Sequence, residues 1–147
     1  MRPLSCVLVV LMSLSTSAVL NKVHVSLMNR LGDGKSMNIH CQSKDNDLGE
    51  HTVAEGEEFS WDFSVNAFGT TLFYCDLGWG KISDFHFDSF SAGRDRRRCS
   101  SQCLWLVAKE GVYGLNDETG LWEFMYGWPS DREGDKERKD GPSASSG

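Results

Sequence analysis

Large apolar side chains alternate with polar ones through most of the chain, at a period of two. Val23, Val25 and Leu27 share one face of a short segment, with His24 and Ser26 on the other. Met37, Ile39 and Cys41 repeat the pattern, and Phe59, Trp61, Phe63 and Val65 give its clearest form, separated by Ser60, Asp62 and Ser64. A helix would scatter four such residues around its circumference, whereas a strand lines them up on one side. Further alternating segments begin at Leu72, Asp84, Cys103, Gly111 and Leu121. The last of them predicts Trp122, Phe124, Tyr126 and Trp128 on one face with Glu123 opposite.

These segments are separated by clusters of Gly, Asn, Asp and Ser, among them "RLGDGKS" from Arg30 and "LNDETG" from Leu115. Such residues suit tight turns, because glycine accepts positive φ and Asx side chains bond their own backbone. Eight short strands with this punctuation predict an all-β fold, a small disulfide-bridged antiparallel β-sandwich of about seven to eight strands. Phe73, Phe85 and Phe87 are assigned to its core, and the strand carrying Phe59 to Val65 to its centre. Trp79 lies in a glycine-flanked turn, where burial is less expected.

The two ends have different compositions. Residues 1–18 combine Arg2, an apolar run from Leu4 to Leu14, and small residues ending in Thr16 and Ala18, the layout of a secretory signal. The run is too short to span a bilayer, so the expectation is a secreted, extracellular protein without stable membrane insertion. Residues 130–147 contain no aromatic, leucine, isoleucine, valine or methionine, and are expected to form a disordered charged tail. Residues 19–129 are left as a single domain.

Removal of the signal takes Arg2 and Cys6 with it. Fourteen basic and 21 acidic residues then remain, a net charge of −7, which argues against a nucleic-acid or anionic-membrane binder. Four cysteines remain, Cys41, Cys75, Cys99 and Cys103, and an even count in an exported chain predicts two disulfides. Cys99 and Cys103 stand too close to favour pairing with each other. Cys41–Cys103 with Cys75–Cys99 is therefore preferred, with Cys41–Cys99 and Cys75–Cys103 as the other arrangement.

No candidate chemistry of catalysis or metal binding emerges. The cysteines and the four histidines lack the paired spacing of a zinc site, and no G-x-S-x-G nucleophile turn is present. Asp45-Asn46-Asp47 opens like a calcium loop, but the pattern fails at Gly49. No enzyme, metal or cofactor is expected. The candidate partner-binding residues are Asp45, Asp47 and Glu50 in the acidic stretch Lys44 to Glu58, and Arg94, Arg96, Arg97 and Arg98 in a solvated basic loop. The turns Arg30 to Lys35 and Asn116 to Thr119 complete the set.

The segments "HCQSKDNDLGEHTV", "TLFYCDLGW", "FHFDSF", "RRRCSSQCLWLV" and "EGVYGL" stand in the order found in plant self-incompatibility proteins and their S-protein homologues. The chain resembles that family from about Val23 to Pro129. The resemblance implies a small, secreted, cysteine-bridged β-sandwich. Its best-known members are pistil-secreted ligands of the poppy self-incompatibility response, recognised by a pollen membrane protein. By that resemblance the chain is expected to be a monomeric, non-enzymatic signalling ligand of a cell-surface receptor. An apoplastic carbohydrate-binding or antimicrobial defence protein is the alternative, favoured if Trp79 is exposed for sugar stacking near Asp76. Two features depart from the family pattern. Asn46 interrupts the usual acidic triplet before Leu48-Gly49, and there is no Asn-x-Ser/Thr sequon.

Overall fold

A computed structural model describes residues 22–129; the expected signal and tail lie outside the described residues. In chain order the elements are β1 (Lys22–Asn29), β2 (Met37–Gln42), β3 (Asp47–Val53), β4 (Glu58–Ser64), β5 (Leu72–Trp79), β6 (Ile82–Ser91), helix α1 (Ala92–Arg98), β7 (Gln102–Val107), β8 (Gly111–Asn116) and β9 (Leu121–Gly127). They form a five-stranded sheet, β4-β1-β7-β8-β9, and a four-stranded sheet, β3-β2-β5-β6. All pairings are antiparallel except β1 with β7. The alternation assigned to β1, β2, β5 and β7 is realised: Val25, Leu27, Met37, Ile39, Leu77 and Trp105 are buried between the sheets, as their apolar area requires.

The aromatic segment from Leu72 to Phe90 supplies much of this core. Phe63 of β4 contacts Phe73 of β5 at 4.6 Å and Phe90 of β6 at 4.8 Å between ring centroids, and Phe87 meets the edge of Trp105 at 5.7 Å. These tilted and edge-to-face pairs join one sheet to the other. Phe73 and Phe87 are buried and the partly buried Phe85 packs against Phe87, as expected.

Four expectations change. Nine strands are present, because part of the acidic stretch forms β3. Only Val53 of that strand is buried, so an edge position held by backbone pairing with β2 leaves no apolar alternation to read. The strand carrying Trp61 is an edge strand, not a central one, since β4 pairs with β1 alone. Its inward row nevertheless holds, with Trp61 buried and Ser60, Asp62 and Ser64 exposed. The last strand does not keep one apolar face. A bulge opposite Val112 and Tyr113 inserts Met125, which reverses the side-chain parity. Tyr126 and Trp128 pack on the core while Trp122 and Phe124 face outward.

The fourth change concerns the cysteines. All four are bridged, but as Cys41–Cys75 and Cys99–Cys103, which overturns both expected arrangements. Cys41 and Cys75 are direct partners on β2 and β5, with a Cα separation of 4.1 Å that brings inward side chains together. Cys99 leaves α1 in extended conformation and the chain folds back through Ser100 and Ser101, so Cys103 returns to 5.1 Å. Closing the first loop stabilises the fold by about 4 kcal/mol and the second by about 2, in the chain-entropy account.

Trypsin cleavage after Arg98 and Lys109 under non-reducing conditions is expected to release residues 99–109 as one peptide, about two daltons lighter than its reduced form. A peptide covalently joined to the Cys41 or Cys75 fragment would contradict the pairing. In denaturant titrations, Trp61→Ala is expected to cost about 3 kcal/mol through lost burial and a residual cavity. Asp62→Ala, on the exposed face, is expected to change stability by less than about 0.5 kcal/mol.

Candidate functional site: the helix cap and its neighbouring loop

The basic run does not form a solvated loop. Residues 92–98 make helix α1, and its residues divide between the interior and the surface. Asp95 is fully buried and lies between two guanidinium groups. It accepts hydrogen bonds from Arg94 Nε at 2.9 Å, Arg94 Nη2 at 2.8 Å, Arg98 Nε at 3.0 Å and the Ser91 backbone N–H at 2.8 Å. Burial alone pushes this carboxyl up; the bonds from Arg94 and Ser91 and the two positive charges outweigh it and hold Asp95 below the ordinary carboxylate value. Burial likewise pushes Arg94 down, and the hydrogen bond and charge of Asp95 together with Tyr126 outweigh it and hold the guanidinium above its ordinary value.

The same guanidiniums join several strands. Arg94 donates to the Asp88 carbonyl at 2.8 Å and the Tyr126 hydroxyl at 2.5 Å, and Arg98 donates to the Leu115 carbonyl at 3.0 Å. Both stack over Trp105, at 5.3 and 4.4 Å from its ring centroid, while Trp105 Nε1 donates to the Ser89 carbonyl at 2.8 Å. Gly114 leaves the room: a Cβ there would lie 2.8 Å from Arg98 Nη1 and 3.2 Å from the Trp105 ring. Arg94 and Arg98 are therefore committed to the interior, and the expectation of four free arginines is corrected to two. Sequence composition could not distinguish them, because an arginine beside an aspartate is equally at home in a solvated run.

Arg96 and Arg97 are exposed, beside a loop that sequence reasoning passed over. Asn66 organises the turn from Asn66 to Thr71: its Oδ1 accepts the Thr70 N–H, its Nδ2 donates to Thr70 Oγ1, and its own N–H donates to Thr71 Oγ1, each at 2.9 Å. Gly69, at φ 66°, takes the left-handed conformation the turn requires. The Ala92 N–H donates to the Thr71 carbonyl at 3.1 Å, tying the loop to α1, and Arg96 lies against Gly69. At the tip Phe68 is 90 % exposed. A lone phenylalanine between Ala67 and Gly69 carries no pattern by which the sequence alone would single it out.

The acidic candidates lie on the other sheet. Asp45 is exposed in the turn before β3, Asp47 begins that strand, and Glu50 stands opposite His40 of β2. Asp47 accepts hydrogen bonds from the Gly49 N–H at 2.9 Å and binds His40 Nε2 at 2.6 Å. The bond to Asp47 raises His40 above its ordinary value, and those from Gly49 and His40 lower Asp47. In register, Glu50, His40, Asp76 and His86 form a row across the outer face, with His86 Nδ1 2.9 Å from Asp76. An open concavity of about 780 Å³ on this face is lined by His40, Glu50, Asp76, Trp79 and Asp84. Trp79 has the Lys35 ammonium 5.3 Å from its ring centroid and Trp128 against its side at 5.8 Å. Among the described residues, no group of three or more His, Cys, Asp or Glu is arranged to hold a metal ion.

Comparison with known proteins places this geometry in context. The family model "Plant self-incompatibility protein S1" matches residues 24–128. "Self-incompatibility protein S1" of Papaver rhoeas is 48% identical over 105 residues, covering 71% of this chain and 76% of the relative. "S-protein homolog 2" of Arabidopsis thaliana is 35% identical over 119 residues, covering 78% and 74% respectively. A solved structure described as "SPH (Self-Incompatibility Protein Homologue) proteins, a widespread family of small, highly stable, secreted proteins from plants" shares the fold with a TM-score of 0.60 at 15% identity, over 78% of this chain and 100% of that one. No helix among the described residues is long and apolar enough to cross a membrane.

Arg98→Ala is expected to destabilise the protein by about 3–5 kcal/mol, because it removes one of the two cations compensating a buried carboxylate and the guanidinium packed on Trp105, whereas Arg96→Ala and Arg97→Ala stay within about 0.5 kcal/mol. The depressed Asp95 carboxyl contributes stability that is present above the unfolded value of about 3.9 and is lost as pH falls through the lower folded value. Thermal unfolding against pH is expected to show this acid limb in the parent chain and a flatter one in Asp95→Asn. Equal losses at Arg96 and Arg98 would contradict the buried network.

Proposed function

The chain belongs to the plant self-incompatibility protein S1 family, and on that premise we propose that it is a secreted, non-enzymatic signalling ligand recognised by a receptor at the plant cell surface. Residues 1–18 direct its export, residues 19–129 fold as the ligand domain, and the domain acts as a monomer. The observation that carries the reading is the surface built by Phe68, Arg96 and Arg97. An aromatic side chain is held almost fully in solvent on a loop braced by five hydrogen bonds, beside two cations that form no ion pair among the described residues. A rigid aromatic suits a central anchor in a partner's pocket, and rim cations suit steering toward an acidic surface. Arg94 and Arg98 support that surface from beneath and are not themselves contacts. Asp45, Asp47 and Glu50 form a second, acidic contact region on the other sheet.

A carbohydrate-binding or antimicrobial role receives less support. Trp79 does line the concavity together with Asp76, but the Lys35 ammonium already stands over its ring and Trp128 packs against it edge-on, so the indole is engaged within the fold.

The triple substitution Phe68→Ser, Arg96→Gln and Arg97→Gln is expected to leave the thermal midpoint nearly unchanged. It is also expected to slow association with intact plant cells at least tenfold and to flatten its dependence on salt. Surface plasmon resonance or labelled-protein uptake across ionic strengths reads both. A variant that folds and binds cells at the parent rate at every salt concentration would remove the proposal.

A further inference from the structure

The two outer faces of the sandwich differ in character, and one of its four edges is unprotected. Edge strands usually carry charge or polar side chains that discourage pairing with another chain. Here β4 presents Glu58, Ser60, Asp62 and Ser64, β3 presents Asp47 and Glu50, and β6 carries Asp84, His86 and Asp88. The remaining edge, β9, presents Leu121, Trp122 and Phe124, which are 65, 40 and 55 % exposed. The Met125 bulge causes this, since it turns Trp122 and Phe124 outward while Tyr126 stays in the core. The apolar character continues inward across the sheet. Phe124 stands opposite Tyr113, Tyr113 opposite Leu106 and Leu106 opposite Met28, a row spanning four strands.

We propose that β9 and this row form a docking surface for an extended segment of a partner protein, apolar at alternate positions and basic at its ends. Among the described residues no strand pairs with the outer side of β9, which leaves its backbone N–H and carbonyl groups there for the segment to pair with as an added strand. Its alternate apolar side chains then extend the row beyond Phe124. Charge selects the flanks. Asp117 and Glu118 lie in the turn before β9, Glu123 lies within it, and Glu110 precedes Gly111, the partner of Gly127 at its far end. None of these four carboxylates forms an ion pair among the described residues, and nearby Lys109 is engaged by Asp33 at 2.6 Å.

Other occupants fit less well. Residues 130–147 lack the large apolar side chains such a strand must supply. A second copy would bring the same carboxylates against themselves. The three exposed β9 side chains offer roughly 300 Å² per copy on the scale of buried aromatic areas. Two copies would then bury roughly 600 Å², short of the approximately 1,000 Å² of a stable interface. The surface lies at the opposite edge of the five-stranded sheet from β4 and its Phe68 loop, so it stands independently of the receptor reading.

The test uses the secreted chain with a synthetic peptide of alternating valine and threonine, flanked at each end by two lysines, and the same peptide flanked by glutamates. Expected is saturable binding of the lysine-flanked peptide, slowed hydrogen exchange at β9 amides, and at least tenfold weaker binding of the glutamate-flanked one. Trp122→Ser with Phe124→Ser should abolish binding without shifting the thermal midpoint. If that variant does not fold, Glu118→Lys with Glu123→Lys, both at exposed positions, should invert the preference between the two peptides. Absence of saturable binding up to millimolar peptide, or binding that neither variant alters, overturns the proposal. So does sedimentation showing a dimer of the parent chain that the Trp122→Ser, Phe124→Ser variant dissociates, since the occupant would then be a second copy.

Discussion

A carboxylate cut off from water must find in its surroundings the charge and hydrogen bonds that solvent would have given. Asp95 imposes that condition on this fold. Satisfying it draws Arg94 and Arg98 inward, and each guanidinium carries further donors that need acceptors of their own. The carbonyls of Asp88 and Leu115 and the Tyr126 hydroxyl meet much of that demand. Trp105 fills the space beneath the cations, and the absence of a side chain at Gly114 admits Arg98. One ionised group thus sets the position of a helix and ties it to β6, β8 and β9. Replacing the whole cluster by apolar residues of equal volume could match its stability, whereas removing one member leaves the others uncompensated.

Sequence legibility followed burial on one side. Val23, Val25 and Leu27, and again Phe59, Trp61 and Phe63, were readable because large apolar side chains fill the face that meets the core while polar ones occupy the other, even where one of these, Ser26, is itself buried. β3 gave no such signal, since backbone pairing alone holds most of an edge strand. β9 misled because a single inserted residue reverses every side chain beyond it, and parity counted along a sequence cannot see a bulge. The cysteines misled differently. A separation of four residues looked too short for a bridge only on the assumption that Cys99 and Cys103 lie along one regular element. In fact the chain changes from helix to turn to strand between them.

The candidate recognition surfaces were legible in part. Charge drew notice to Arg96 and Arg97 and to the acidic run, and both regions reach the surface. Phe68 escaped notice because exposure is a property of the loop that holds it. That loop depends on side-chain hydrogen bonds of Asn66, Thr70 and Thr71, two of them to backbone N–H groups, and the polarity of these residues reads merely as a connection. The division of labour is physical: disulfides, aromatic contacts and the Asp95 cluster immobilise the layers, and loops between them hold side chains in solvent at little further cost in order.

The parallel pairing of β1 with β7 has a consequence for how the chain acquires its structure. His24 finds its partner Gln102 only 78 positions later, and Val25, Ser26 and Leu27 have comparable distances to cover. β4 gives β1 one neighbour earlier, but the five-stranded sheet has no continuous middle until β7 arrives. Contacts so remote in sequence must overcome loop-closure entropy before they return any stabilisation, which slows the search. During synthesis the first strand therefore waits, half paired, while most of the domain is still being made. Folding of this domain is governed by its last third, and its earliest residues are among the last to become secure.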